Sequence, residues 1–235
     1  MKYLISFVFW LAGVLFFIFS AGILSVCLFI FPKPVTFRLA RFLFSILIRI
    51  MGIRLEVEGR EHVDPKKSYL ILGNHQSLFD LFVIPVAIPL CFTGVEAAYH
   101  FSIPVWGFLI RKWGCIPIER ENLEKAKQSL VQARATLDSG ISLAILPEGH
   151  RTRTGEMGEF KKGPFHLARA ARPEILPFAI SGLFEYQSRG GFLLSPGRVR
   201  VRISRPIPPE RYAHLEVEEL RDLIRNQILE LSRAG

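Results

Sequence analysis

The sequence predicts an α/β protein: a mixed central sheet flanked by helices, preceded by an apolar helical segment that anchors the chain to a membrane. Three observations carry that expectation. From residue 52 onward, short apolar runs that read as buried strands alternate with stretches of helical periodicity, the pattern of an α/β layer fold. Residues 3–31 contain no charged side chain. Several strand-like runs end in polar residues with no obvious structural task, and in α/β sheets ligands bind at the carboxyl ends of strands.

A chain of 235 residues suits one large domain, or one domain with an appendage. We divide it into a membrane-anchoring segment, 1–51, and a catalytic domain, 52–235. Half of the residues are hydrophobic, and the mean hydropathy of +0.29 is high for a purely soluble protein. The net charge of +9 calls for an anionic partner: nucleic acid, an acidic membrane surface or an anionic substrate. Nucleic acid is set aside, because the basic residues lie beside the apolar segment and a membrane surface accounts for both. Cys27, Cys91 and Cys115 have neither paired nor metal-ligand spacing. That argues against a disulfide framework, gives no metal site and fits a reducing compartment.

As one helix, residues 3–31 would be roughly 44 Å long, against roughly 30 Å for a hydrocarbon core. Such a helix crosses a bilayer with tilt, or breaks near Gly13 or Gly22 into a re-entrant hairpin. A cleaved signal peptide would have an apolar region about half as long, followed by a small-x-small site that is missing here. The segment therefore reads as a retained anchor. Pro32-Lys33-Pro34 interrupts it, and a second helical pattern runs over 37–51. There Arg38, Arg41 and Arg49 fall within about 80° on a helical wheel, with Phe37, Leu43 and Leu47 among the apolar remainder. This predicts an interfacial helix with its arginines at lipid phosphates; a core helix of the globular domain is the alternative. The positive residues follow the first segment, which puts the catalytic domain on the cytoplasmic side.

Residues 52–59 alternate Leu55 and Val57 with Arg54, Glu56 and Glu58 and read as a strand; 69–72 is the next. A short apolar helix follows, which Pro85 must kink or end. After a strand near 95–98, residues 101–110 form an apolar surface or a substrate-facing helix, and 115–118 reads as an edge-type strand. Leu123, Ala126, Leu130, Ala133 and Leu137 recur at helical spacing, with Asn122 as cap and Gly140 as stop. Residues 141–146 and 175–180 are apolar strands, with a helix beginning at Pro164 between them. Val199, Val201 and Ile203 alternate with Arg198, Arg200 and Arg202 in a half-buried strand, and Val217, Leu220, Ile224, Ile228 and Leu231 mark a closing amphipathic helix.

At Gly73-Asn74-His75-Gln76-Ser77-Leu78-Phe79-Asp80 a buried strand turns into a helix. Ser77 and Asp80 stand three apart before apolar residues, a helix-start signature that makes Ser77 the cap. His75 is left at the turn with a carboxylate ahead of it, a general base with an orienting partner. Alone, the stretch also reads as a helix cap beside a loop histidine. Further polar groups close other strands: Arg120 after one, and Glu148-Gly149-His150-Arg151 after another.

Together these stretches resemble the glycerolipid acyltransferases, the 1-acylglycerol-3-phosphate acyltransferase family. Asn74-His75-Gln76-Ser77 with Asp80 resembles the family's His-x4-Asp block. Gly114-Cys115-Ile116-Pro117-Ile118-Glu119-Arg120 resembles its second block, and Leu146-Pro147-Glu148-Gly149-His150-Arg151-Thr152 with Phe160-Lys161-Lys162-Gly163 its third. Ile175-Leu176-Pro177-Phe178-Ala179-Ile180 resembles the fourth, and Gly197 to Val201 with Arg205-Pro206-Ile207 the closing strand. The resemblance implies transfer of a fatty acyl group from a thioester, on coenzyme A or acyl carrier protein as co-substrate, to a lysolipid hydroxyl, with no tightly bound cofactor. It implies His75 as base and Asp80 as its partner, Arg120 and Arg151 at an acceptor phosphate, and Glu148, Gly149 and His150 at the acceptor turn. Lys161 falls at phosphates of donor or membrane. His150 stands where a threonine is usual, Pro117 where an aromatic is common, and Ala97-Ala98-Tyr99 where many relatives carry a lysine. These departures leave the chemistry in place and the acceptor open.

The leading expectation is a membrane-bound enzyme making phosphatidic acid from lysophosphatidic acid at a phospholipid surface. Another lysophospholipid or an amino-acid-containing lyso-lipid is the alternative acceptor. A non-catalytic lipid-binding module is disfavoured by the retention of both His75 and Asp80. A serine hydrolase is disfavoured because no Gly-x-Ser-x-Gly elbow is present.

Overall fold

In the computed structural model, which describes residues 1–119 and 123–233, the strands are β1 (Ile53–Glu58), β2 (Tyr69–Gly73), β3 (Phe92–Ala97), β4 (Ile116–Ile118), β5 (Ser142–Ile145), β6 (Glu174–Ser181) and β7 (Gly197–Ile203). Among the described residues they form one sheet of order β1-β7-β6-β2-β5-β3-β4. All neighbours run parallel except β6 and β7, which are antiparallel. The helices are α1 (Lys2–Ile30), α2 (Lys33–Ile50), α3 (Asp80–Ala87), α4 (Trp106–Trp113), α5 (Leu123–Asp138), α6 (Gly163–Ala171), α7 (Leu183–Tyr186) and α8 (Val217–Arg233). The expected mixed sheet between helical layers is therefore what the chain adopts.

The two layers follow from the strand period of two. On β2, Tyr69 and Ile71 point to one side and join Phe37, Leu47 and Ile48 of α2 and Val83 of α3. Leu70 and Leu72 point to the other and join Ala133 of α5, Phe165 of α6 and Ile224 of α8. Leu70, Ile71 and Leu72 are fully buried, each stabilising the fold by about 1.5–3 kcal/mol. Strand β7, between β1 and β6, is buried on one face only. Val199, Val201 and Ile203 pack inward, while Arg200 and Arg202 pair with Glu56 and Glu58 at the matching register positions of β1, at 3.3 and 2.9 Å.

In the first 51 residues the structure decides between two pairs of alternatives. α1 runs unbroken through Gly13 and Gly22, so there is no re-entrant break. It packs along the domain through small residues: Ser6, Gly13, Ser20 and Ala21 are its buried positions, with Leu24. A Cβ on Gly13 would run into the Met51 thioether, so the glycine lets α1 approach without displacing that side chain. Most of its large apolar side chains, among them Phe7, Leu11, Leu15, Ile18 and Phe19, remain exposed.

The second choice concerns α2, which is chiefly a core helix rather than an interfacial one, with Phe37, Leu43, Leu47 and Ile48 buried. Its basic stripe is divided. Arg38 and Arg49 are exposed, but Arg41 donates to the carbonyls of Pro85 and Val86 at 2.9 and 3.4 Å. Arg60 donates to those of Ala87 and Val86, both at 3.1 Å. The last carbonyls of α3 lack helical partners, and the two guanidiniums cap them. A wheel drawn for α2 alone cannot show that acceptor.

Candidate active site

Strands β2, β3, β4, β5 and β6 all point the same way, so their carboxyl ends share one edge of the sheet. β2 lies between β6 and β5, which places its following turn among side chains supplied by both neighbours. The first residue after β2, Asn74, is buried and pairs with Ile180 of β6 in both directions. Its Nδ2 donates to the Ile180 carbonyl at 2.8 Å and its Oδ1 accepts the Ile180 N–H at 2.7 Å. Asn74→Ala leaves both main-chain groups buried and unpaired, which costs about 1–3 kcal/mol for each. A fall in unfolding free energy of that order, measured by denaturant titration in detergent, is the expected result.

The main chain of His75 is held at both ends by the segment after β5. Its N–H donates to Glu148 Oε1 at 2.7 Å, and its carbonyl accepts the Thr152 N–H at 2.9 Å. The next residue, Gln76, offers its side-chain oxygen to the N–H groups of Leu183 and Phe184 at 3.0 and 3.4 Å, the unpaired donors at the start of α7. The turn is thus pinned to three separate elements.

Asp80 opens α3 with its carboxylate folded back over the turn. Its Oδ2 accepts the N–H of Gln76 at 2.8 Å and of Ser77 at 3.2 Å, and lies 2.6 Å from His75 Nδ1. An oxygen that already accepts two main-chain N–H groups is an acceptor toward the ring as well. The proton therefore sits on Nδ1, and Nε2 is left with a lone pair. The imidazole is 23% exposed and the Asp80 side chain 2%, so the ring is reachable while its partner is sheltered from solvent. Oδ1 of Asp80 is buried without a hydrogen-bond partner among the described residues.

Ser77 is not the side-chain cap expected of it. The N-cap position of α3 is Phe79, and the Ser77 hydroxyl instead approaches the carbonyl and side-chain oxygens of Gln187, at 3.2 and 2.9 Å. The helix start has a carboxylate at its first residue, which already serves the local N–H groups, and that frees the serine for a long-range contact.

The residues after β5 divide into inward and outward groups. Glu148 is buried, and its second oxygen accepts the Gly158 N–H at 2.8 Å. Burial pushes its carboxyl above the ordinary value, and the N–H groups of Gly158 and His75 act in the opposite sense. Arg225 of α8 fixes the other side of this loop by donating to the carbonyls of Met157 and Gly158 at 3.0 and 3.1 Å. Gly149 takes the left-handed conformation, φ +77°, that turns the chain outward. His150 is exposed, Arg151 half-buried, and Lys161 exposed while its N–H donates to the Pro147 carbonyl at 2.8 Å. Arg120 lies outside the described residues, as does Asn122.

The structure therefore gathers His75, Asp80 and Glu148 into one hydrogen-bonded unit, with Gly149, His150 and Arg151 continuing from it. Sequence reasoning quoted Asn74, Gln76 and Thr152 but assigned them no work, and it passed over Gly158. Among the described residues no group of His, Cys, Asp and Glu side chains is arranged to hold a metal ion.

A family model described as Acyltransferase matches residues 54–181. The chain is similar to the 1-acyl-sn-glycerol-3-phosphate acyltransferase alpha of Mus musculus, 31% identical over 191 residues that cover 78% of this chain and 65% of that protein. It is also similar to the 1-acyl-sn-glycerol-3-phosphate acyltransferase of Limnanthes douglasii, 32% identical over 69% of this chain and 58% of that protein. The chain thus spans a little under two thirds of the length of these curated relatives. Its fold is that of the crystal structure of the 1-acyl-sn-glycerophosphate (LPA) acyltransferase PlsC from Thermotoga maritima, with a TM-score of 0.84, 21% identity, and coverage of 97% of this chain and 93% of that one.

Proposed function

The chain belongs to the acyltransferase family, and from that premise we propose that it transfers a fatty acyl group from a thioester to the free hydroxyl of 1-acyl-sn-glycerol-3-phosphate, giving phosphatidic acid. The donor is acyl-coenzyme A or acyl carrier protein. The observation that carries this reading is the contact of 2.6 Å between His75 Nδ1 and Asp80 Oδ2 at the carboxyl end of the central strand. The names of the mouse and Limnanthes relatives supply the acceptor.

The chemistry follows from that pair. Nε2 of His75 takes the proton from the acceptor hydroxyl as its oxygen attacks the thioester carbonyl. Asp80 stabilises the imidazolium that forms, as the acid of a hydrolase triad does. The tetrahedral intermediate then collapses with cleavage of the C–S bond, and the thiolate leaves with the proton returned from Nε2. No acyl-enzyme is needed, because donor and acceptor react directly once held together. Arg120 and Arg151 serve the acceptor phosphate, where a guanidinium gives bidentate, charge-assisted contacts. Gly149 and His150 border it, and Lys161 meets phosphates of donor or membrane.

A membrane surface is the natural place for this reaction, since the acceptor is a lipid. α1 is long and apolar enough to cross a bilayer, with a mean hydropathy of 2.6 over an 18-residue stretch. Its exposed apolar side supports attachment to a phospholipid surface, with the catalytic residues on the cytoplasmic face. A panel of acceptors offered with one acyl-coenzyme A and one acyl carrier protein, with products read by mass, tests the reading. Phosphatidic acid is the expected product. Acylation of a different lysophospholipid or an amino-acid-containing lyso-lipid alone would reassign the acceptor, and no product at all would favour a lipid-binding module.

A further inference from the structure

We propose that Arg189, which lies in none of the motif blocks, is a binding residue for the phosphate of the acceptor, and that residues 187–193 form the rim over which that lipid reaches His75. The inference rests on the acceptor being lysophosphatidic acid, as proposed above.

The rim is fastened to the catalytic turn. Gln187 is buried, its oxygens face the Ser77 hydroxyl two residues from His75, and its Nε2 donates to the Gly191 carbonyl at 2.9 Å, closing the loop on itself. Arg189 emerges between those two fixed points. Its Nη1 lies 3.4 Å from the Arg151 carbonyl, so its guanidinium stands against the turn that carries Arg151.

Some surface arginines meet acids, among them Arg169 with Glu216, Arg200 with Glu56, Arg202 with Glu58 and Arg221 with Asp222, and others, such as the exposed Arg38, Arg49 and Arg54, do not. Among the described residues, Arg151, Arg153 and Arg189 take part in no ion pair. A phosphate monoester matches the forked donors of a guanidinium that no carboxylate has engaged.

The same loop then becomes apolar. Phe192 and Leu193 are 47% and 39% exposed, and the Phe192 carbonyl accepts the Trp10 Nε1–H of α1 at 2.8 Å. The Leu194 N–H donates to the Ser6 hydroxyl at 2.9 Å. One short segment thus offers a cation at its active-site end and apolar side chains beside the apolar helix at its other end. A lysolipid has the same polarity along its length: its headgroup suits Arg189, and its chain suits Phe192, Leu193 and α1.

The test compares wild type with R189Q and R189K in neutral detergent micelles, with lysophosphatidic acid and with monoacylglycerol as acceptors. Losing one charge-assisted contact at an exposed site should raise KM for lysophosphatidic acid about tenfold, with kcat little changed. R189K should recover part of the loss, and monoacylglycerol kinetics should not move. Phosphates of bulk lipid are the other possible anion, so flotation with vesicles of phosphatidylcholine and phosphatidylglycerol is measured alongside. Equal flotation is expected, whereas a loss of flotation that accounts for the KM change would overturn the assignment. Binding of lysophosphatidic acid without an acyl donor separates the two ideas. Weaker binding by R189Q in an enzyme that does not acylate this lipid removes the proposed activity and keeps the site; equal binding by both proteins removes the site.

Discussion

Replacing His75 with alanine is expected to lower acyl transfer by about 10²–10⁴-fold, the range that a positioned general base supplies. The fold should survive the change. The His75 main chain, not its ring, carries the contacts to Glu148 and Thr152, and Asp80 Oδ2 retains the N–H groups of Gln76 and Ser77. Membrane attachment should survive too, since among the described residues the imidazole hydrogen-bonds to Asp80 and not to α1. Asp80→Asn sharpens the result. An amide can present either its oxygen or its NH₂ to the ring and the two N–H groups, so the tautomer that leaves Nε2 unprotonated loses its fixed partner. Its rate should fall in the same range while binding of acceptor and donor is kept. Transfer by His75→Ala at the wild-type rate, assayed in isolated membranes with lysophosphatidic acid and an acyl thioester, would sink the mechanism.

Much of this architecture was legible because each element carries its own signal. The apolar runs of β2, β5 and β6 announced buried strands, and the alternation in β7 announced one wet face. The stripe Val217, Leu220, Ile224 and Ile228 turned out to be the buried side of α8. The histidine and aspartate could be paired on paper, because five residues across a strand-to-helix turn bring two side chains back together. What escaped the sequence was direction. Glu148 is marked as important by its neighbours, but whether a carboxylate faces a ligand or the main chain behind it depends on where another loop brings Gly158. Arg41 reads as part of a surface stripe until α3 ends beside it. On α1 the apolar signal is so strong on every side that the small-residue seam of Ser6, Gly13 and Ser20 does not stand out. Arg189 belongs to no periodicity and no motif, and only the tertiary contact with the Arg151 carbonyl gives it a place.

Glu148 yields the second large effect, because the structure gives it a positioning duty distinct from touching the acceptor. Both of its oxygens are committed to main-chain N–H groups, those of His75 and Gly158. Glu148→Gln keeps the shape but offers one acceptor and one donor to two donors, so one N–H is left facing an NH₂ group. The unpaired group costs about 1–3 kcal/mol. Part of that cost appears as a displaced His75, so kcat should fall by roughly 10–100-fold, with KM for the acceptor little altered. A raised KM at unchanged kcat would instead show that Glu148 meets the acceptor itself. The acid limb of the pH profile gives an independent reading. Burial raises the folded-state value of this carboxyl above the ordinary 4.5, so between the two values the folded protein holds a proton that the unfolded chain has released. The contribution of Glu148 to stability is therefore greatest below its ordinary value and declines as pH rises through that window. Activity moves the other way, since a protonated carboxyl turns one acceptor into a donor against an N–H. The part of the fall in wild-type kcat on acidification that comes from Glu148 should be missing in E148Q. A pH profile identical in wild type and E148Q would place the titration elsewhere.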